Sequence, residues 1–203
     1  QAPDSFLVSL VHGALGSERV VSWALGLVDT IGGRLSGTAA GARAEAWALA
    51  RLREIGVDSA WLEPVALWAW ERGPATMTVS APAALAGRPL AVSAWAYAPG
   101  GMLSGARVVD LGRGDTLALR RAGPAVRGAV LLCDAVGPEL VRAAAEAGAA
   151  ALLRISPEPG RLLQARAVAV ERPPAPVPVW TTTLEDGLWL RRMALYGDVR
   201  VDA

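Results

Sequence analysis

The sequence predicts an α/β (α+β) chain in which N-terminal helices lead into a β-rich module that contains a strand–helix–strand unit. Apolar residues recur at helical spacing over much of residues 4–55. Short apolar runs separated by proline and glycine follow in residues 75–111 and predict several short strands. Residues 128–155 then comprise an apolar run, a helix that starts at Pro138 and ends near Gly148, and a second apolar run. The two runs are expected to form parallel strands.

The N-terminal part is predicted to contain three helices. Residues 4–29 form two short amphipathic helices with a break at Gly16, and their apolar positions are Phe6, Leu7, Leu10 and Val11, then Val20, Val21, Ala24, Leu25 and Val28. Residues 29–38 contain three glycines and predict an ordered turn or loop. Residues 39–55 predict the third helix, which ends at Gly56 and whose apolar face comprises Ala44, Ala48, Leu52 and Ile55.

A change of organisation is predicted near Gly73, which gives domains at 1–72 and 73–203. Residues 60–70 predict an edge or bulged strand, because the run is aromatic and apolar but contains Pro64. Residues 156–178 are rich in proline and predict a loop with one strand at 167–170. The last helix is predicted from the capping-box spacing of Thr182 and Glu185, and a strand at 198–203 follows Gly197.

Composition excludes several function classes. The 203 residues carry a net charge of +1, so we expect neither nucleic acid nor an anionic membrane as a partner. The absence of lysine excludes a phosphate-binding loop with its lysine and excludes Schiff-base chemistry. No apolar run is long enough for a membrane span. The start at Gln1 suggests a removed leader, and therefore a secreted or periplasmic protein.

Catalytic residues are not evident in the sequence. The single histidine, His12, is expected at a helix surface, and Cys133 lies in an apolar run typical of a buried, inert thiol. A carboxylate pair remains an open alternative, with Glu63, Glu71, Asp110 and Glu139 as the acids that could form it. Residues 113–115 spell Arg-Gly-Asp, which indicates either a turn or an integrin-binding sequence.

The eight tryptophans allow two interpretations as well. Trp68 and Trp70 would point to the same side of a strand and could form a platform for a sugar or a peptide. Packing in a core or between domains is the favoured alternative.

The run DTIGGRLSGTAAGARAEAWALARLREIGVDSAWLEPVALWAWERG (residues 29–73) resembles carboxypeptidase Q-like members of the di-zinc aminopeptidase and carboxypeptidase family. The shared features are a glycine-rich loop, a helix that ends at glycine, and a Glu-Pro-Val step before a tryptophan-containing stretch. Thr38 stands where the family usually has serine. The runs VRGAVLLCD, AAAEAGAAALLRI and PVPVWTTTLEDGLWL resemble the protease-associated domain that is inserted in this family. Together the two resemblances cover most of the chain.

The resemblance implies that this chain is the N-terminal, non-catalytic part of a zinc-dependent exopeptidase. The family binds two zinc ions with a His-x-Asp strand end, a bridging aspartate, a Glu-Glu pair and a distal histidine. None of these motifs occurs here, so the resemblance assigns no catalytic or metal-binding residue to this chain. The implied partners are a C-terminal catalytic domain and the short peptides that it cleaves, with the inserted domain covering the cleft.

Three residues are expected at the loop or at contacts between domains, namely Arg34, Trp68 and Trp70. Arg34 could position the glycine-rich loop through its planar guanidinium, or it could simply be solvated. The stretches 60–70 and 198–203 are expected to be strands without partners in this chain. The alternative to the exopeptidase assignment is a stand-alone protease-associated module that binds a partner without chemistry.

Overall fold

The computed structural model describes residues 5–164, 166–168 and 174–203. The chain divides into two compact units, Gln1–Glu71 and Arg72–Ala203, which we call the first and the second unit. The first is helical and the second contains the sheet, as the mixed α/β prediction requires. The assignment of these parts to an exopeptidase segment and a protease-associated domain stays a prediction.

The first unit contains three α-helices: α1 (Ser5–Leu15), α2 (Glu18–Leu25) and α3 (Ala39–Glu54). The chain breaks after α1 at Gly16, and the Ser17 hydroxyl caps α2 by accepting a hydrogen bond from the Arg19 N–H. The predicted pair of N-terminal helices is therefore confirmed. A π-helical turn, Gly26–Ile31, continues α2, so the glycine-rich loop starts at Gly32 and not at residue 29.

The strand predicted for residues 60–70 does not form. No helix or strand is assigned to this stretch. An aromatic, apolar composition favours a strand only where a neighbouring strand can supply the hydrogen bonds. The expectation that Trp68 and Trp70 share one side of a strand falls with it.

The second unit is built on one mixed sheet of eight strands, in the order β2-β1-β8-β4-β5-β6-β7-β3. In chain order the strands are β1 (Met77–Ala81), β2 (Pro89–Leu90), β3 (Val92–Ala94), β4 (Ala106–Asp110), β5 (Val130–Cys133), β6 (Ala151–Ile155), β7 (Val179–Thr182) and β8 (Arg200–Asp202). Strands β4 to β7 pair in parallel and form the centre. The outer pairings, including β3 with β7 and β4 with β8, are antiparallel.

Helices α4 (Thr116–Ala122), α5 (Pro138–Glu146) and α6 (Leu184–Tyr196) complete the second unit. Three of the central strands, β5, β6 and β7, are buried along their whole length. The sheet therefore carries an apolar core on each face. One core packs Leu131 and Leu152 against Leu140 and Val141 of α5. The other packs Leu132 and Leu153 with Leu190 of α6. Such continuous apolar runs are what parallel strands with two covered faces require.

The strand–helix–strand prediction for residues 128–155 is confirmed. Strands β5 and β6 pair in parallel from Val130↔Ala151 to Cys133↔Arg154, with α5 between them along the chain. Gly148 adopts a φ of 77° just after α5, the left-handed conformation that favours glycine at a helix end. The strands predicted between residues 75 and 111 are present as β1 to β4.

Three details of the second unit differ from the sequence prediction. Helix α4 was not predicted, although Asp115 caps it by accepting a hydrogen bond from the Ala118 N–H at 2.7 Å. The cap of α6 is Thr183 and not Thr182, which belongs to β7. The prediction that residues 198–203 would lack partners is wrong, because β8 lies between β1 and β4.

The strand predicted at 167–170 lies only partly within the described residues. Ala167 forms an isolated parallel bridge with Ala96, while residues 169 and 170 lie outside the described residues.

Candidate functional site

The glycine-rich loop of the first unit is organised by Thr38 at the start of α3. The Thr38 hydroxyl accepts a hydrogen bond from the Gly41 N–H at 3.1 Å and donates one to the Leu35 carbonyl at 2.7 Å. A serine hydroxyl could make the same two bonds, so threonine in place of serine preserves the capping chemistry. Gly41 is the one buried residue of α3, and a Cβ there would lie 2.6 Å from the Leu35 carbonyl oxygen.

Gly37 explains why this loop needs glycine. Its φ is 84°, and a Cβ on it would lie 2.7 Å from Cδ1 of Leu67 and 3.0 Å from Cβ of Ala69. The loop backbone therefore packs directly on residues 67–69. A groove of about 950 Å³ runs along this contact and is lined by Ser36, Gly37, Glu45 and residues 62–67 and 69.

The three residues singled out from the sequence all belong to the first unit. Arg34 is exposed and donates a hydrogen bond to the Gly32 carbonyl at 2.9 Å, within the glycine-rich loop. It also lines a smaller cavity of about 340 Å³ beside Leu27 and Trp47. Trp68 is 65% exposed, and Trp70 is half-buried. The structure does not bring these three side chains into one site.

Most apolar side chains of the first unit are exposed. Among its described residues only Gly41 is buried, whereas Phe6 is 64% and Leu15 81% exposed. The predicted core face of α3 is also partly open, with Leu52 44% and Ile55 46% exposed. Exposure of so many large apolar side chains in one unit is unusual for a soluble protein, and such side chains typically take part in contacts with another surface.

In the second unit, two acidic residues in the first turn of α6 form hydrogen bonds and ion pairs with neighbouring segments. Asp186 is 1% exposed and accepts a hydrogen bond from the Ala91 N–H at 3.0 Å, while Arg161 and Arg88 approach its carboxylate at 3.2 and 3.7 Å. Glu185 is exposed and accepts hydrogen bonds from the N–H groups of Gly160 and Arg161 at 2.8 and 3.1 Å. Together they fasten the loop after β6 to α6.

The pKa of Glu185 is lowered by hydrogen bonds to the ionised carboxylate. Its own backbone N–H and that of Gly160 contribute most, and the N–H and charge of Arg161 add to the effect. Arg88 is fixed in part by an aromatic contact, since its guanidinium lies 3.9 Å from the ring centroid of Trp189.

Arg191 connects α6 with the carboxyl ends of β4 and β5. It contacts Asp110 and Asp134 at 2.9 Å each and donates to the Gly112 carbonyl at 3.2 Å. Burial by itself would lower the pKa of Arg191, but the hydrogen bond to Asp134 and the charges of Asp110 and Asp134 outweigh it and raise the pKa. Asp110 thus serves an ion pair, which weakens the alternative of a catalytic carboxylate pair that includes it.

The Arg-Gly-Asp sequence forms the turn before α4. Gly114 has a φ of 85°, and a Cβ on it would lie 2.2 Å from the Ala135 carbonyl oxygen. The Asp115 carboxylate is engaged as the cap of α4. The turn interpretation therefore accounts for both residues.

Cysteine and histidine are residue types often used in nucleophilic or metal chemistry, and each occurs once in this chain. Cys133 was expected to be buried and His12 to lie on a helix surface, and the structure confirms both. Cys133 is fully buried, and burial raises the pKa of its thiol to about 12, with the charges of Asp134 and Asp110 adding to the shift. His12 is exposed in the last turn of α1.

The described residues do not fit a zinc site. Zinc in a peptidase is held by a cluster of histidine and carboxylate ligands. Within residues 5–164, 166–168 and 174–203, no group of three or more His, Cys, Asp or Glu side chains is arranged to hold a metal ion. None of the described helices is long and apolar enough to cross a membrane.

Comparison with solved structures places this fold in context. The chain superimposes on a peptidase M28 precursor from Shewanella amazonensis SB2B with a TM-score of 0.76 and 22% identity, covering 96% of this chain and 48% of that one. It superimposes on BSAP, a zinc aminopeptidase from Bacillus subtilis, with a TM-score of 0.59 and 18% identity over 89% and 41% of the two chains. An aminopeptidase from Aneurinibacillus sp. strain AM-1 gives a TM-score of 0.54 at 16% identity, over 89% and 42%.

This chain has the fold of one part of these peptidases. It spans about half the length of the first of these structures and less of the other two. No protein-family model and no curated protein sequence matches the chain. The resemblance to di-zinc exopeptidases therefore agrees with the structure at the level of the fold.

Three polar side chains of the second unit were not predicted from the sequence, namely the buried Asp186 and Arg154 and the half-buried Arg191. The one available signal was the pair of acids in the first turn of a predicted helix. Their partners are up to 95 residues away along the chain, as for Asp186 and Ala91. No local pattern encodes such a pairing.

Proposed function

We propose that this chain is the N-terminal, non-catalytic part of a zinc-dependent exopeptidase. In this proposal the first unit supplies the opening helices of the catalytic domain, and the second unit is a protease-associated domain that covers the active-site cleft and limits access to short peptides. The observation that carries the proposal is the superposition of 96% of this chain on 48% of an M28 peptidase precursor. The two zinc ions and the ligands that bind them would belong to the remaining part of the parent enzyme, outside these 203 residues.

The surface of the first unit supports this proposal. Its helices expose apolar side chains such as Phe6, Leu10 and Val20, at 64%, 52% and 64%, and would gain most from a further polypeptide that covers them. Residues 60–70 have the composition of a strand, yet no strand is assigned to them, which is what a strand of a larger catalytic sheet would show when taken alone.

Arg34, Trp68 and Trp70 belong to this proposal as contacts. Arg34 would hold the glycine-rich loop in shape through its hydrogen bond to Gly32, and Trp68 would pack on the catalytic part through its exposed ring. The parent enzyme is proposed to be secreted or periplasmic.

Two measurements test the proposal. We expect the 203-residue chain to release no product from aminoacyl p-nitroanilides or short peptides, with or without added Zn²⁺. We also expect the source gene to continue beyond the codon for Ala203 into a His-x-Asp motif followed by acidic ligands. Zinc-dependent turnover by this chain alone would contradict the non-catalytic assignment. A stop codon directly after Ala203 would contradict the proposal that the chain is part of a larger exopeptidase.

The second unit also supports a rival proposal, a stand-alone binding module. It has an apolar core on each face of its sheet, so it does not depend on the first unit for burial of its central strands. A gene that ends at Ala203 together with specific binding of a protein partner would favour this rival over the exopeptidase.

A further inference from the structure

Arg154 is a buried positive charge near the carboxyl end of the central strand β6. It is 6% exposed, and its register partners are Cys133 of β5 and Thr181 of β7, both fully buried. Thr181 is itself engaged, since its hydroxyl accepts a hydrogen bond from the Trp95 indole at 2.6 Å. Ligands of parallel α/β sheets bind beyond the carboxyl ends of the strands, which is where Arg154 lies.

The hydrogen-bond partner of Arg154 carries no charge. Nη1 of Arg154 donates to Oε1 of Gln164 at 3.1 Å, and Nη2 of Arg166 donates to the same oxygen at 3.4 Å. No carboxylate of the described residues forms an ion pair with either arginine. Burial lowers the pKa of Arg154 and the nearby charge of Arg166 lowers it further, while Cys133 and Asp134 act in the opposite direction. A buried guanidinium is normally compensated by an anion.

Ser156 adds an unsatisfied donor on the same side of the sheet. Its hydroxyl is buried and has no hydrogen-bond partner among the described residues. The β6–β7 ladder continues through the Ser156 N–H, which donates to the Thr182 carbonyl at 2.9 Å, so side chains still alternate there. Ile155 faces α6, where it approaches Gly187, and Ser156 therefore shares the opposite side with Arg154.

We propose that Arg154, Arg166 and Ser156 form a binding site for a carboxylate group, in which a carboxylate oxygen replaces Oε1 of Gln164. The amide of Gln164 is planar and nearly isosteric with a carboxylate, and it already accepts from both guanidinium groups. A carboxylate would add the missing negative charge in the geometry that arginine recognises best. Arg166 and Gln164, exposed and half-buried, form the entrance, and Arg154 lies beneath them. This site belongs to the second unit and does not depend on the proposed exopeptidase function.

Binding of acetate by the 203-residue chain tests the chemistry. We expect saturable binding by calorimetry and a rise in Tm of about 3 °C at a tenfold excess over Kd, relative to chloride at equal ionic strength. Inorganic phosphate is expected to bind more weakly than acetate. Absence of saturable acetate binding, or a preference for phosphate, would overturn the proposal.

Variants at the entrance locate the site without disturbing the core. Arg166→Gln should weaken acetate binding about tenfold or more, because it removes one charged donor from the surface. Gln164→Glu should raise Tm and abolish acetate binding, because its own carboxylate would fill the site. Arg121 is an exposed residue of α4, so Arg121→Gln removes an equal charge away from the site and should leave acetate binding unchanged. Equal acetate affinity in Arg166→Gln and the unaltered chain, or a lower Tm in Gln164→Glu, would refute the assignment.

A matched pair of peptides tests whether the site takes the end of a peptide. N-acetyl-alanyl-alanine should bind, and its C-terminal amide should not, because only the acid carries the carboxylate. Binding of the amide as tightly as the acid would overturn the proposal.

Discussion

Asp186, in the first turn of α6, accepts a hydrogen bond at 3.0 Å from the backbone N–H of Ala91, between β2 and β3. Because the carboxylate is 1% exposed, water does not replace this bond if it is lost. The same carboxylate contacts Arg161 and Arg88, so one side chain joins three separate parts of the second unit.

We therefore expect Asp186→Ala to lower the free energy of unfolding of the second unit by about 2 kcal/mol, because it removes a buried carboxylate and leaves the partly buried Ala91 N–H without its acceptor. Asp186→Asn should cost less, since its amide oxygen still accepts. Asp58→Ala removes an exposed acid and should change stability by less than about 0.5 kcal/mol. Hydrogen exchange of the β5 and β6 amides in urea measures the loss; equal stability of Asp186→Ala and Asp58→Ala would show that the contact is dispensable.

Gly187 in α6 offers a test in which helix propensity and packing predict opposite signs. Alanine is the better helix former by about 1 kcal/mol. A Cβ at Gly187, however, would lie 2.7 Å from Cγ1 and Cγ2 of Ile155 in β6. We expect Gly187→Ala to destabilise the second unit by about 1–3 kcal/mol, because the clash separates α6 from the sheet.

Gly197, at the end of the same helix, provides the matched control. A Cβ there meets no atom within 4 Å, and its φ of 170° is open to any residue. Gly197→Ala should leave the urea midpoint almost unchanged. If Gly187→Ala instead raised that midpoint, the close packing of α6 on β6 would be wrong.

The attachment of the loop at Gly160 should depend on pH. Hydrogen bonds lower the folded-state pKa of Glu185 below its usual value of about 4.3, so the stability that they contribute is fully present above that pH. It is lost as pH falls through the lower, folded-state pKa, where the carboxylate is protonated. We expect the N–H groups of Gly160 and Arg161 to lose protection in that acidic window, measured by NMR hydrogen exchange.

The control for this titration is the Asp186 N–H. It donates to the Thr183 hydroxyl at 3.2 Å, and this acceptor does not titrate in the acidic range. Its protection should persist through the window in which the loop amides lose theirs. Glu185→Gln should abolish the pH dependence of the Gly160 amide. Unchanged pH dependence in this variant would assign the titration to another group.

The Arg-Gly-Asp turn is expected to be structural. Asp115→Ala should cost about 1 kcal/mol, because α4 loses its cap, and Asp115→Ser should recover most of that loss, since serine is a comparable cap. Urea titration of the three proteins gives the ranking. The unaltered chain should not compete with Arg-Gly-Asp peptides for an integrin, because the Asp115 carboxylate is engaged with the Ala118 N–H at 2.7 Å. Competition that Asp115→Ser abolishes would favour the integrin interpretation.

Local patterns in the sequence were sufficient for elements whose cause is local. Helix α5 follows from Pro138 at its start, Gly148 just after its end and apolar spacing between them, and the flanking strands follow from continuous apolar runs. The buried state of Cys133 follows from the same run. Helix α4 was missed although Asp115 is a preferred cap residue, because seven helical residues give too short a period to recognise.

The sequence by itself determined the helical first unit, the parallel β5–α5–β6 unit and the absence of lysine chemistry. Only the tertiary structure decided that β8 lies inside the sheet, that residues 60–70 form no strand, and that Arg154 is buried against the neutral oxygen of Gln164. The physical reason is the range of the interactions. Helix caps and apolar spacing act within a few residues, whereas strand pairing and charge burial depend on groups that are distant along the chain and meet only after folding.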